Sequence, residues 1–183
     1  MTTASTDRIL IRMREVIEGA TVTLRGISAN TYGTNLPDGL DVNEEARRTM
    51  IGSDGVRVMM EASIPRMERS PASPPVIGNL ALYDIYPEVR VVVLYSAPAT
   101  LTGALRDSLR GLVVSAGDVL AQAFGFPGNL TTTTGGEATG LVSGLLAFVG
   151  GSAQARAVTN QPGGVYEAVY KFKGVLRVAP AIV

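Results

Sequence analysis

Cysteine, histidine and tryptophan are absent from the chain, and aromatic residues make up only 5% of it. Without cysteine there is no disulfide, no thiolate nucleophile and no zinc–thiolate site; without histidine the commonest metal ligand and acid–base group is missing too. Charge of either sign is also in short supply: 16 basic residues balance 16 acidic ones, net charge is zero, and no Lys/Arg cluster supplies the footprint that nucleic-acid backbone requires. No apolar stretch approaches the roughly 20 residues of a membrane-spanning helix, and the N-terminal MTTASTDRIL lacks the basic and apolar regions of a secretory signal. A soluble cytoplasmic product with no membrane partner is the expectation. A chain so poor in reactive groups is better suited to holding something together than to transforming it.

What is present is a patterned α+β sequence of 183 residues, a length that suits a single domain over 1–183. Ser5 or Thr6 reads as the cap of a first helix, with Asp7 in its first turn and Ile9, Leu10, Met13, Val16 and Ile17 on one side; Gly19 is the stop. Val22 to Ile27 begins a strand, and Asp41 to Met50, with Glu44 three residues after Asp41, reads as a short surface helix. Val56 to Met67 has strand character, and Pro65 places its end at a sheet edge or bulge. Val76 to Ile85 and Glu88 to Ser96 (EVRVVVLYS) are two further strand candidates, the second central in a sheet.

Thr102 to Phe124 reads as a long amphipathic helix whose stripe is Leu105, Leu109, Leu112, Ala116, Val119 and Ala123, broadened by Val113 and Leu120 and closed by Gly125 and Pro127. Burying its larger side chains is worth roughly 1.5–3 kcal/mol each before entropy, enough to make it the main cover of the sheet. Ser152 to Thr159 and Val165 to Val178 read as a closing hairpin about Gly163 and Gly164, with Tyr166, Ala168, Tyr170, Phe172, Leu176 and Val178 on its core face. Protruding loops are expected near 28–55, 68–75 and 127–140. From Val119 to Ala155 the only charged residue is Glu137, and the segment contains the apolar run Leu141 to Val149. Such a stretch is either covered by another chain or part of the interior.

Chemical motifs are few. No Walker loop, dinucleotide fingerprint, zinc spacing or nucleophile elbow occurs. Thr134-Gly-Gly-Glu137 is the nearest thing to a phosphate loop, but it lacks the lysine and reads as a turn. Asp84 and Glu88 are an acid–base or hard-cation pair at best, and more simply solvated strand ends. Thr131 to Thr134 is an extended edge or loop, and Tyr166, Tyr170 and Phe172 fit a buried sheet face better than a stacking platform. Arg106 and Arg110, one helical turn apart, suit a partner contact or a solvated helix face equally. No catalytic, cofactor-binding or metal residue is assigned.

The succession of N-terminal helix, interrupted β region, VRVVVLYS strand, long helix and closing hairpin resembles the tail-terminator, or tail-completion, proteins of tailed bacteriophages. The resemblance covers Asp7 to Val178 and lies in the order of elements. It implies a mixed or antiparallel sheet packed against the long helix. It also implies a structural virion protein, assembled in the host cytoplasm into a hexameric ring at the head-proximal end of the tail tube. Its implied partners are copies of itself, the tail tube protein and the head–neck connector or stopper, with DNA passing through the ring and not read by sequence. The uncharged Val119 to Ala155 stretch and the long Ile27 to Gly55 region depart from that pattern. Three alternatives stand beside it: another neck or head-completion ring protein, an enzyme working through Asp, Glu, Lys, Tyr or Ser, and a small-ligand-binding α+β domain.

Overall fold

A computed structural model of the chain describes residues 3–24, 27–30, 56–73, 81–95, 103–157 and 164–178. The 9, 13, 17 spacing of apolar residues makes α1 (Thr3–Glu18) amphipathic; Ile9, Met13 and Ile17 are fully buried, and Leu10 and Val16 pack beside them. The helix starts earlier than the Ser5 or Thr6 cap predicted, and it ends as predicted, with the Gly19 amide donating to the Glu15 carbonyl. β1 (Thr21–Leu24) and β2 (Ile27–Asn30) form an antiparallel hairpin, so part of the expected 28–55 loop is strand. The surface helix expected over 41–50 lies outside the described residues.

Four antiparallel strands form the main sheet in the order β3-β4-β6-β5: β3 (Val56–Arg69), β4 (Ala81–Tyr95), β5 (Ala147–Ala157) and β6 (Gly164–Val178). The fold is α+β with an antiparallel sheet. The two strand candidates on either side of Pro87 are one strand, β4, and not two. A proline in a central strand removes a ladder donor, and the sheet accommodates it from both sides. On one side β3 carries a bulge between Ser63 and Arg66, where Pro65 stands; on the other, the β4–β6 ladder skips from Ile85↔Gly174 to Glu88↔Lys171. β3 therefore continues through Pro65 to Arg69, and the described part of the expected 68–75 loop narrows to a turn in which the Ser73 amide donates to the Ser70 carbonyl.

The long helix, α2 (Gly103–Gly125), lies across the same sheet face as α1. Leu112, Val113, Ala116, Leu120 and Phe124 are buried, whereas Val119 and Ala123 are only partly so; the buried stripe is centred closer to Phe124 than the predicted one. The side chains of Leu105 and Leu109 lie outside the described set. Ile85, Val89, Val91 and Val93 of β4, Met60 of β3, and Ala168, Phe172 and Leu176 of β6 complete the core, with Tyr166, Tyr170 and Val178 packed against it as their alternation predicts.

Residues 126–146 do not simply protrude. Leu130, Thr139, Leu141 and Leu146 are buried, the Leu146 amide donates to the Phe124 carbonyl, and the Arg177 amide donates to the Gly140 carbonyl. The segment is a strap laid over the end of the core, with Thr131, Thr132 and Thr134 to Ala138 exposed at its tip. β5 then begins at Ala147, five residues before the predicted Ser152, and absorbs the end of the apolar run.

Candidate interaction surface

β5 has one neighbour in the sheet, β6, and its other side is an open edge among the described strands. Open edges are normally blunted by charge, proline or a covering element. β3, the opposite edge, follows that rule with Arg57, Glu61, Arg66, Glu68, Arg69 and the Pro65 bulge. β5 has a single charge, Arg156, near its end: Ala147 to Ala155 carries none, and Ala147, Phe148, Val149, Gly151, Ser152, Ala153 and Gln154 are all exposed.

The uncharged side extends beyond β5. Leu141 bridges to Leu176 and the Val142 amide donates to the Val175 carbonyl, so 141–157 accompanies β6 along most of its length. Leu141 and Leu146 turn inward, while Val142 is 50% exposed, Phe148 49% and Val149 62%; Phe126, just past α2, is 64% exposed. The split comes from the backbone. β5 carries a bulge between Phe148 and Gly150, and Val149, at that bulge, has no register partner on β6. Phe148 rests edge-on against Phe172 at 5.7 Å, and Phe172 in turn meets Phe124 at 5.1 Å, so an aromatic row leads from the core to the surface. Both alternatives for the apolar run, interior and exposed, thus apply to different residues within it.

The strap's tip is tied to α1. Arg8 Nε donates to Glu137 Oε2 at 2.7 Å, Arg12 Nε to the Asn129 carbonyl at 2.6 Å, and the Thr134 amide to both Glu15 carboxylate oxygens at 2.9 and 3.1 Å. Arg12 also holds Glu15 at 2.7 Å. Its hydrogen bond first, and that of the Thr134 amide second, keep the Glu15 carboxyl below its ordinary value. Thr134-Gly-Gly-Glu137 is therefore a tight turn, closed by the Gly136 amide on the Thr133 carbonyl, and the anion received by the Thr134 amide is the chain's own.

The sheet face away from the helices is a set of ion pairs. Asp84 and Glu88 are mid-strand, not strand ends: Lys173 lies 3.3 Å from Asp84, and Lys171 3.6 Å from Glu88. A hydrogen bond from Ser70, then Lys173, holds the Asp84 carboxyl below its usual value. Each carboxylate is engaged by its own lysine, which leaves no convergent acid–base pair. Arg90 and Glu167 pair at 2.7 Å across β4 and β6, and Glu167 and the adjacent Val92 are buried on this face. Tyr86 lies beneath both Arg66 (4.7 Å) and Lys173 (5.6 Å). Among the described residues no group of three or more carboxylates is placed to hold a metal ion. Arg110 is exposed, and the side chain of Arg106 lies outside the described set.

The exposed Phe126, Val142, Phe148 and Val149 were not separable from their buried neighbours in sequence, although the lack of charge from Val119 to Ala155 marked the segment. No protein-family model matches the chain, and no curated protein matches it. Among solved structures, the chain is similar to a chain in the virion of a native gene transfer agent particle. The two are 19% identical, with 76% of this chain and 88% of that one covered and a TM-score of 0.32.

Proposed function

We propose that the chain is a structural subunit of a tailed particle: copies assemble into a six-membered ring at the head-proximal end of the tail tube, end its growth and join it to the head's connector. The observation that carries this reading is the uncharged outward side of 141–155, along an open strand edge flanked by exposed Val142, Phe148 and Val149. A monomer that left such an edge in water would expose backbone donors and acceptors beside apolar side chains, the combination that pairs strands between molecules. The resemblance of the element order to that of tail terminators is the reason for proposing this place in the particle and six-fold symmetry.

The work required is binding alone. A ring seated on the last tube ring covers the surface to which the next would add and presents a different surface to the neck. That task needs rigid, specific contacts, and a helix-backed sheet with a strapped end provides a stiff platform for them. Its partners are then copies of the chain, the tube protein and the connector, and its location is the virion tail or neck.

Light scattering on the purified chain, alone and with tube protein, tests the reading. The expected mass in one of the two conditions is about six times that of the 19.1 kDa chain. A mass of one or two chains in both would contradict it.

A further inference from the structure

The two edges of the main sheet are matched to each other. The β3–β4 ladder is regular from Val56↔Tyr95 to Ser63↔Glu88 and slips only beyond Ser63. The β5–β6 ladder is regular from Gly150↔Lys171 to Ala157↔Gly164 and slips only before Gly150. These two halves lie in the same rows. Val56, Tyr95, Gly164 and Ala157 stand side by side across the four strands, as do Ser63, Glu88, Lys171 and Gly150 at the other limit. The regular half of each edge is therefore the same length, at the same end of the sheet, and each bulge lies beyond it.

Strand directions agree as well. Every neighbour in the order β3-β4-β6-β5 is antiparallel, so β3 and β5 run in opposite directions. A second copy placed with its β3 beside β5 continues the antiparallel pattern without a break. Charge is mixed: in this register the Glu61 position meets the neutral Ser152, whereas the Arg57 position meets Arg156, so the match rests on length and direction.

We propose that the β5 edge, over Gly150–Ala157, pairs with the Val56–Ser63 edge of a second copy of this chain, so that neighbouring subunits share one continuous antiparallel sheet. The inference rests on the reading that the chain assembles with itself, and it names the contact. Two β5 edges could also pair with each other, but that pairing stops at two copies and leaves both β3 edges open. Head-to-tail pairing uses two different surfaces, propagates, and on closing leaves no edge unpaired.

The absence of natural cysteine makes the test direct. Ser63 and Ser152 are both exposed, and both belong to the sheet face away from the helices, in register with Glu88 and Val169 respectively. Within one copy they are separated by three strand spacings, about 14 Å, beyond the reach of a disulfide. Ser63→Cys with Ser152→Cys, oxidised or treated with a short bis-maleimide that tolerates a slip in register, should give a ladder of covalent multimers on denaturing gels. Each single variant should give none. A dimer from Ser152→Cys alone would overturn the proposal in favour of β5–β5 pairing. An assembly seen by light scattering that yields no cross-link in the double variant would overturn the edge contact and leave assembly standing. A chain that stays monomeric with and without tube protein would overturn both. As a second variant, Ser152→Glu, which stands opposite Glu61 of the neighbouring copy in this register, should reduce the assembled mass with thermal melting unchanged; a full-sized assembly would count against the proposal.

Discussion

The Tyr170 hydroxyl donates to the Val113 carbonyl at 2.5 Å, joining the middle of β6 to the middle of α2. The ring fits because the positions around it are glycine: a Cβ on Gly117 would lie 2.4 Å from Tyr170 Cε1, and one on Gly151 would lie 2.8 Å from Cδ1. Burial first, and the charge of Asp118 second, push the phenol above its ordinary value, so it remains a donor at neutral pH. Tyr170→Phe should cost about 0.5–1.5 kcal/mol, the net worth of one such hydrogen bond. Gly117→Ala, which in an open helix would gain about 1 kcal/mol, should instead destabilise by roughly 1–3 kcal/mol. Thermal melts of both variants, and of Gly117→Ala combined with Tyr170→Leu, check this; the pair should be less destabilised than the sum of the singles.

Arg90 and Glu167 form a partly buried pair across the two central strands, beside buried Val92. Removing one partner leaves the other charge in a poorly solvated place, whereas replacing both with apolar residues of similar size does not. Arg90→Met and Glu167→Leu should each lower stability, and the double variant should recover on the order of 1–3 kcal/mol of the summed loss. Denaturant midpoints give the coupling, and additive losses would show that the two charges act independently.

Acid should loosen the attachment of the strap to α1. Glu15 has a folded-state value depressed below its ordinary 4.5, so the stability it contributes is present above the unfolded value and is lost as pH falls through the lowered folded one. The Thr134 amide, which donates to that carboxylate, is the reporter. Its hydrogen exchange, corrected for intrinsic rate, should accelerate as pH is lowered below about 4.5, and Glu15→Gln should abolish that dependence. An unchanged profile in the variant would refute the latch.

Shortening the strap separates its tip from its anchor. Leu130 is fully buried and Thr139 nearly so, its hydroxyl donating to the Leu130 carbonyl at 2.5 Å. Leu130→Ala should cost about 2–5 kcal/mol. Replacing the exposed Thr134–Gly136 with a tighter two-residue turn should cost far less, and comparison of the two melting temperatures decides whether the strap or only its tip is dispensable.

Periodicity made both helices, the core face of β6 and the edge position of Pro65 legible in the sequence, because each buries one face at a fixed spacing. Pro87 misled: it reads as a strand break, and only the bulge opposite it in β3 shows how a central strand passes through. The strap misled for a different reason. Its Gly and Thr content suits a loop, but Leu130, Leu141 and Leu146 lie far apart in sequence, and their common burial depends on where α2 and β6 end. Asp84 and Glu88 looked like strand termini because β4 was read as two pieces. The open β5 edge follows from strand order, which hydrophobic pattern does not encode.

Termination and joining of tails are tested most directly by the length distribution of tails in electron micrographs of particles assembled without the chain. Tails should run overlong or fail to join heads, with complementation by the intact chain restoring uniform length. Tails of normal length, joined to heads in the complete absence of the chain, would contradict that role.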